Sequence, residues 1–132
     1  MIRLLGRWSD AAYTAMRLVL AFMYWSHGLM WLFGAFGGRP VPELPPMLLA
    51  AGIIETVLGA LIAVGLLTSW AAFVASGEMA SAYFIAHIPR GSVLPIRNGG
   101  EITVALCFAF LYIATRGGGP FSVDSLLSAK KR

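Results

Sequence analysis

The stretch MLLAAGIIETVLGALIAVGLLTSWAAFVASGEMASAYFIAHI, residues 47–88, decides the fold. Its first half, residues 47–67, carries a single charge, Glu55, and about 20 apolar residues in a helix are enough to span the hydrocarbon core of a bilayer. The Thr-Ser pair at 68–69 supplies a short turn and a helix N-cap, so the next apolar helix, residues 70–88, runs antiparallel beside the first. The stretch therefore predicts two antiparallel transmembrane helices joined by a tight turn.

Two further apolar runs extend this pattern to four helices. Residues 12–35 form a mainly apolar run that is interrupted by two strongly polar residues, Arg17 and His27. This run is too long for the core of a signal peptide and no small-residue cleavage site follows it, so we expect it to be retained as a first span. Residues 101–115 form a shorter last span, and residues 120–132 are expected to form a short interfacial tail.

The composition is typical of an integral membrane protein with one domain. The chain has 132 residues, of which 58% are hydrophobic and 12% are charged, whereas about 25% of the residues in a soluble domain are charged. The net charge of +4 comes from basic residues at the ends of the apolar runs, which indicates membrane orientation and argues against a nucleic-acid partner. The only cysteine, Cys107, leaves no internal disulfide and no cysteine-rich metal motif.

Four spans place both termini on one side of the membrane, and the basic residues indicate which side. The side of the termini carries Arg3, Arg7, Arg116, Lys130, Lys131 and Arg132, and the other side carries Arg39, Arg90 and Arg97. Because basic residues concentrate on the cytoplasmic side, both termini are expected to be cytoplasmic. The predicted fold is all-α: an integral membrane four-helix bundle with antiparallel up-down topology.

Small residues share helix faces with two of the buried acids. These faces are Gly52, Glu55 and Gly59 on the second helix, and Ala71, Ala75, Glu78 and Ala82 on the third. Small faces let helices approach closely in lipid, so both glutamates are expected to point into the bundle.

At the depths that this topology implies, the polar residues fall into two groups. The predicted outer cluster is His27, Glu55, His87, Arg90, Arg97 and Glu101, with Asn98 in the same loop. The inner group is Arg17 and Glu78, which are expected to form a structural ion pair between the first and third helices. Because ionisable groups inside a membrane are costly and mark functional sites, the outer cluster is where function is expected.

Structural roles remain open for members of the outer cluster. Asn98 and Glu101 have the spacing of a capping box at the start of the last helix. The two loop arginines can be solvated surface charges. His87 can cap a frayed helix end, and His27 can hydrogen-bond a neighbouring backbone group.

No cofactor is firmly predicted, and the possible ligands differ in support. A di-metal carboxylate site would need a Glu-x-x-His pair on one helix, which the sequence lacks, so no metal site is expected. A bis-histidine haem has no support beyond its two histidines and is not favoured. A quinone headgroup fits best, because quinones enter the bilayer and need a few proton-carrying groups between aromatic walls. The sequence offers His27, Glu55, His87 and Glu101, with walls from Tyr24, Trp25 and Tyr83. The same groups would suit a proton or small-anion path.

Several short motifs occur in a fixed order from about residue 17 to residue 127. They are Arg17-Leu18, His27-Gly28, Phe33-Gly34, AGIIETVLGALIAVGLLT at 51–68, GEMASAYFIAHIPRG at 77–91, NGGE at 98–101 and GPFSVDSLL at 119–127. Together they resemble the DoxX family of small four-helix bacterial membrane proteins. The matching residues are Arg17, His27, Gly28, Glu55, Glu78, His87, Asn98 and Glu101, and the match does not assign their roles.

The resemblance implies a subunit or accessory of a quinone-linked oxidoreductase system in the bacterial inner membrane. Relatives of this kind include a subunit of thiosulfate:quinone oxidoreductase or terminal quinol oxidase complexes. The implied partners are the lipid bilayer and either a larger membrane redox complex or further copies of the chain. Since the sequence has no cysteine pair for sulfur chemistry, it leaves open whether the chain is itself an enzyme. The alternative is a non-enzymatic membrane scaffold or a small proton-coupled transporter.

Overall fold

The computed structural model describes residues 4–38 and 44–130, and within these ranges the chain is all-α, as predicted. The six helices are α1 (Ser9–Phe33), α2 (Pro46–Val64), α3 (Thr68–Ala82), α4 (Pro95–Asn98), α5 (Glu101–Arg116) and α6 (Val123–Lys130). The predicted cytoplasmic side rests partly on four basic residues that lie outside the described ranges: Arg3, Arg39, Lys131 and Arg132.

The end of α3 departs from regular α-helix. The chain continues from α3 into a π-helical turn at Tyr83–His87 and then a 3-10 turn at Ile88–Arg90. Pro89 cannot extend an α-helix, because it lacks the N–H that would continue the hydrogen-bond ladder. The one-turn helix α4 follows and leads into α5.

The long helices pack in two pairs. α1 lies along α2, α3 lies along α5, and α2 also contacts α3. Glycines permit the first pairing: a Cβ on Gly28 would lie 2.6 Å from the backbone nitrogen of Thr56, and a Cβ on Gly59 would lie 2.9 Å from the Cα of Trp25. At these two positions the helix backbones are so close that the hydrogen atom of a glycine fits between them and a methyl group does not.

The core lies between these pairs, and much of the outer surface is apolar. Fully buried apolar residues are Ala21, Tyr24, Ile62, Ala72, Ala75, Phe110 and Ile113. Large side chains such as Trp70, Phe84 and Phe108 are instead exposed. A broad apolar surface of this kind is characteristic of a protein whose solvent is lipid.

Within the described residues, one helix, α2, is long and apolar enough by itself to cross a membrane. α3 and α5 have 15 and 16 residues, fewer than the roughly 17 to 25 that a span usually takes. The π-helical turn continues α3, so the helical run from Thr68 to His87 covers nearly all of the predicted span at 70–88. The predicted span at 101–115 corresponds to α5, which is short by this measure.

The turn between α2 and α3 lies earlier than the sequence suggests. α2 ends at Val64, Gly65 adopts a left-handed conformation, and α3 already begins at Thr68. The residue before α3, Leu67, has a φ of 50° and provides no side-chain cap. The first amides of α3 find their acceptor elsewhere in the chain, as described below.

Candidate functional site

A cavity of about 440 Å³ lies between α1, the α3 end with its π-helical turn, and α5. We call it the outer cavity. Its polar lining comprises Tyr24, His27, His87, Arg90 and Thr103, and apolar residues such as Trp31, Leu48, Met79, Ile102 and Leu106 complete it. The structure therefore brings together three residues of the predicted outer cluster: His27, His87 and Arg90.

His87 is held at the cavity by both of its ring nitrogens. Nδ1 lies 3.2 Å from the Asn98 carbonyl oxygen, and Nε2 lies 3.2 Å from the Thr103 hydroxyl. The imidazole also stacks on the Tyr83 ring, with an interplanar angle of 20°. These contacts depend on the π-helical turn, and such turns occur frequently at functional sites.

His27 occupies the opposite wall of the outer cavity, on α1. It is exposed, and its Nδ1 lies 2.9 Å from the carbonyl oxygen of Met23, one turn earlier in the same helix. This contact fits the backbone role that the sequence left open. The other ring nitrogen makes no hydrogen bond with the described residues, so His27 can donate to or accept from a ligand in the cavity.

Asn98 has a structural role beside the cavity. The residue is buried, its Nδ2 donates to the Tyr83 hydroxyl at 3.1 Å and to the Ser92 carbonyl at 2.9 Å, and its Oδ1 accepts from the Gly100 N–H at 2.9 Å. These bonds fix the loop that carries Arg90, whose Nη1 donates to the Asn98 carbonyl oxygen at 3.3 Å.

The remaining predicted members of the outer cluster do not line the cavity. Arg97 and Glu101 are exposed, and α5 begins without a side-chain capping hydrogen bond, so the capping box that the spacing of Asn98 and Glu101 left open does not form. The Asn98 side chain instead accepts a hydrogen bond from the amide of Gly100, which precedes α5, and therefore does not cap the first turn of α5.

Glu55 also lies apart from the histidines, in what we call the carboxylate pair, Glu55 and Glu78. Glu55 is 6% exposed, and its Oε2 has no hydrogen-bond partner among the described residues. Its neighbour Ile54 lines one cavity with Glu78, so the two carboxylates lie at the same level of the contact between α2 and α3. Glu78 is half-buried and accepts a hydrogen bond of 3.1 Å from the hydroxyl of Tyr24. Since Tyr24 also lines the outer cavity, it connects the carboxylate pair with that space.

The predicted ion pair between Arg17 and Glu78 does not form. Arg17 is 1% exposed, and its Nη1 donates to the carbonyl oxygens of Ile62 and Ala63, the latter at 2.6 Å. Its Nη2 donates to the Phe121 carbonyl at 2.7 Å. The last carbonyls of a helix have no partner within the helix and carry partial negative charge, so the end of α2 is a good site for a guanidinium group.

Asp124, at the start of α6, supplies the cap that α3 lacks. Its carboxylate accepts hydrogen bonds from the Leu67 N–H at 2.8 Å, the Thr68 N–H at 2.9 Å and the Thr68 hydroxyl at 2.7 Å. Partial desolvation opposes ionisation, but these hydrogen bonds and the positive charge of Arg17 outweigh it, so the pKa of Asp124 lies below its ordinary value. We call this assembly of Arg17, Phe121, Asp124 and the α2–α3 turn the tail junction.

The family of this chain is established by its similarity to known proteins. The model of the DoxX family matches residues 12–88, which contain α1, α2, α3 and the π-helical turn. The chain belongs to the DoxX family. The resemblance read from the sequence motifs is thereby confirmed, and DoxX proteins are generally associated with membranes.

A relative of this DoxX protein is an uncharacterised protein of Haemophilus influenzae. The two are 40% identical over 116 residues, which cover 83% of this chain and 86% of the relative. No solved structure matches the chain.

Proposed function

We propose that this DoxX protein is a multi-pass protein of the bacterial inner membrane in which α1, α2, α3 and α5 form a four-helix bundle with both termini in the cytoplasm. We further propose that the outer cavity binds the headgroup of a quinone, and that the protein acts as a subunit or accessory of a quinone-linked oxidoreductase system. No nucleic acid takes part.

The observation that carries the proposal is the lining of the outer cavity. Its volume of about 440 Å³ falls within the range of roughly 300 to 1,000 Å³ typical of small-molecule sites. A quinone ring presents two carbonyl oxygens, which accept hydrogen bonds, and its reduced form presents two hydroxyl groups. Arg90 can donate to a carbonyl oxygen, and His27 can exchange a proton with a hydroxyl group.

The walls of the cavity suit the apolar remainder of such a ligand. Trp31, Met79 and Leu106 surround the polar groups with aromatic, thioether and aliphatic surface. The exposed apolar surface of the helices supports the bilayer as the first partner. The histidines of the lining can carry protons, and a quinone also needs a source or an acceptor of electrons, so we propose that the redox partner is a larger membrane complex, or that copies of the chain assemble around one.

The test uses the full chain reconstituted in lipid nanodiscs and titrated with a short-chain ubiquinone. Trp31 lies in the cavity wall, so saturable quenching of tryptophan fluorescence is expected, and the Trp31→Phe variant should lose most of it. Losing one hydrogen bond from a charged donor costs about 1.5 to 3 kcal/mol, so Arg90→Gln should weaken binding about tenfold or more.

Arg97→Gln is the matched control, because Arg97 lies nearby in α4, is exposed and does not line the cavity. Its binding constant should equal that of the wild type. Absence of saturable quenching, or equal weakening by the two arginine variants, would overturn the quinone site. Proton uptake into vesicles that needs Glu55, without quinone binding, would favour the transporter instead.

A further inference from the structure

We propose that Glu55, Glu78 and Tyr24 form a proton-binding site between α1, α2 and α3, in which the two carboxylates hold one proton between them and Tyr24 connects them with the outer cavity. This inference does not depend on which ligand occupies the cavity.

The first support is the position of Glu55. The side chain is 6% exposed, and Oε2 is a buried acceptor without a hydrogen-bond partner in the described ranges. A buried carboxylate without partners is expensive in a medium of low polarity, and one proton on it removes the charge. Glu78 lines one cavity with Ile54, the neighbour of Glu55, and a second cavity with Ala51, one helical turn before Glu55. The two carboxylates therefore lie at the same level of the contact between α2 and α3, where two negative charges would repel each other.

The second support is that the described residues supply no cation to this site. From α1 the facing titratable group is Tyr24, with His27 nearly one turn further along, and its Nδ1 is engaged with the Met23 carbonyl. From α5 the neighbours of Tyr24 are apolar, and its ring meets the Phe110 ring with centroids 5.0 Å apart. Glu78 is half-buried, whereas Glu55 is buried, so a bound proton or a bound cation is needed to neutralise the pair at Glu55.

Arg17, the buried cation of α1, is committed elsewhere. Its Nη atoms bind carbonyl oxygens at the end of α2 and in the loop before α6. Arg116 likewise forms an ion pair with Asp10, with Nη2 and Oδ1 2.7 Å apart.

The third support is the connection to the outer cavity. Tyr24 is 1% exposed to the surroundings of the protein, its hydroxyl donates to Glu78 Oε2, and the residue forms part of the cavity wall. When Glu78 takes the hydroxyl proton, the phenolic oxygen can accept a replacement from a donor in the cavity. In this relay the Tyr24 O–H bond breaks as an O–H bond forms on Glu78, and a hydronium ion in the cavity gives its proton to the phenolic oxygen and becomes water. Tyr24 is restored, and a neutral carboxylic acid replaces the Glu78 carboxylate.

The experiment is an infrared pH titration of the full chain in lipid vesicles without quinone. A C=O stretching band of a protonated carboxylic acid is expected at neutral pH, shifted in D₂O and lost at alkaline pH. The band should be missing from Glu55→Gln at neutral pH, where a single carboxylate no longer faces a second charge. Glu101→Gln is the matched control, since it removes an exposed carboxylate, and it should leave the band unchanged.

A second measurement covers the case in which Glu55→Gln fails to fold. The wild-type protein is treated with dicyclohexylcarbodiimide, which modifies protonated carboxyl groups in apolar surroundings, and the modified residue is located by mass spectrometry. Modification is expected at Glu55 or Glu78 and not at Glu101, and Tyr24→Phe should slow the exchange of the band in D₂O.

Three results would overturn the proposal: no protonated carboxyl band near neutral pH, a band that persists in both Glu55→Gln and Glu78→Gln, or a band that disappears when sodium chloride is added at constant pH. The last result would assign the pair to a metal cation. Since no quinone is present, a failure of the quinone titration leaves these outcomes unaffected.

Discussion

Gly28→Ala tests how closely α1 and α2 approach each other. A Cβ at this position would lie 2.5 Å from Thr56 Oγ1, 2.6 Å from Thr56 N and 2.8 Å from Gly52 O. Two of these three atoms belong to the backbone of α2, which cannot rotate out of the way as a side chain can. The helices must therefore separate by several tenths of an ångström along their contact.

The magnitude follows from two opposing effects. Overpacking of a close contact typically costs about 1 to 3 kcal/mol, and the rigid backbone neighbours place this substitution near the upper end. Alanine gains up to about 1 kcal/mol over glycine in helix propensity. We therefore expect the free energy of unfolding to fall by about 1 to 2 kcal/mol.

Gly77→Ala is the matched control in α3. A Cβ on Gly77 meets nothing within 4 Å, so only the propensity gain remains and the free energy of unfolding should stay constant or rise. The assay is reversible unfolding of the purified chain in mixed micelles by sodium dodecyl sulfate, followed by circular dichroism. If Gly28→Ala is as stable as Gly77→Ala, the close approach of α1 and α2 is refuted.

The tail junction yields two further predictions in the same assay. Asp124→Asn should lower the free energy of unfolding by about 1 to 2 kcal/mol, the usual value of a helix cap. The folded-state pKa of Asp124 lies below its ordinary value of 3.8, so the wild type should be more stable than Asp124→Asn by this full amount above pH 3.8. The difference in stability should disappear as the pH falls through the lowered pKa of the folded state. A difference that persists in strong acid would contradict this. Arg17→Lys should cost about 2 kcal/mol, since an ammonium group cannot reach carbonyls on both α2 and the tail loop. A double-mutant cycle of Arg17→Lys with Glu78→Gln should give a coupling below about 0.5 kcal/mol, and a larger value would indicate that the two residues do pair.

The sequence predicts the helices well because their signals are local. The all-α class is confirmed, and the long apolar run containing Glu55 forms α2. The small face of α2 also predicts that Glu55 is buried, since Gly52 and Gly59 allow α1 to approach on that side. These inferences need only the spacing of residues along one helix.

Contacts between distant parts of the chain could not be predicted in the same way. Arg17 binds carbonyl oxygens, which every residue carries, so no residue type marks its partners. Asp124 caps a helix that begins 56 residues earlier, outside the reach of any local capping pattern. Because buried charges usually pair, Glu78 was predicted to be the partner of Arg17. The guanidinium group instead donates its hydrogen bonds to carbonyl oxygens at the end of α2.

The site was predicted in part. Depth estimates along ideal helices placed His27 and His87 at one level, and both line the outer cavity. The same estimates assigned Glu55 to that level, but it lies with Glu78 and Tyr24. Thr103 had no signal in the sequence, because a threonine inside an apolar helix usually bonds only to its own backbone.

The tail junction has a consequence for biogenesis. α2 and α3 are synthesised before Asp124, yet the turn between them takes its hydrogen-bond acceptor from that late residue. The hydrogen bonds at the α2–α3 turn are therefore completed only after the start of α6 has been synthesised. A stop codon or a proteolytic cut just after α5 would therefore leave the four long helices present and the first amides of α3 without their acceptor.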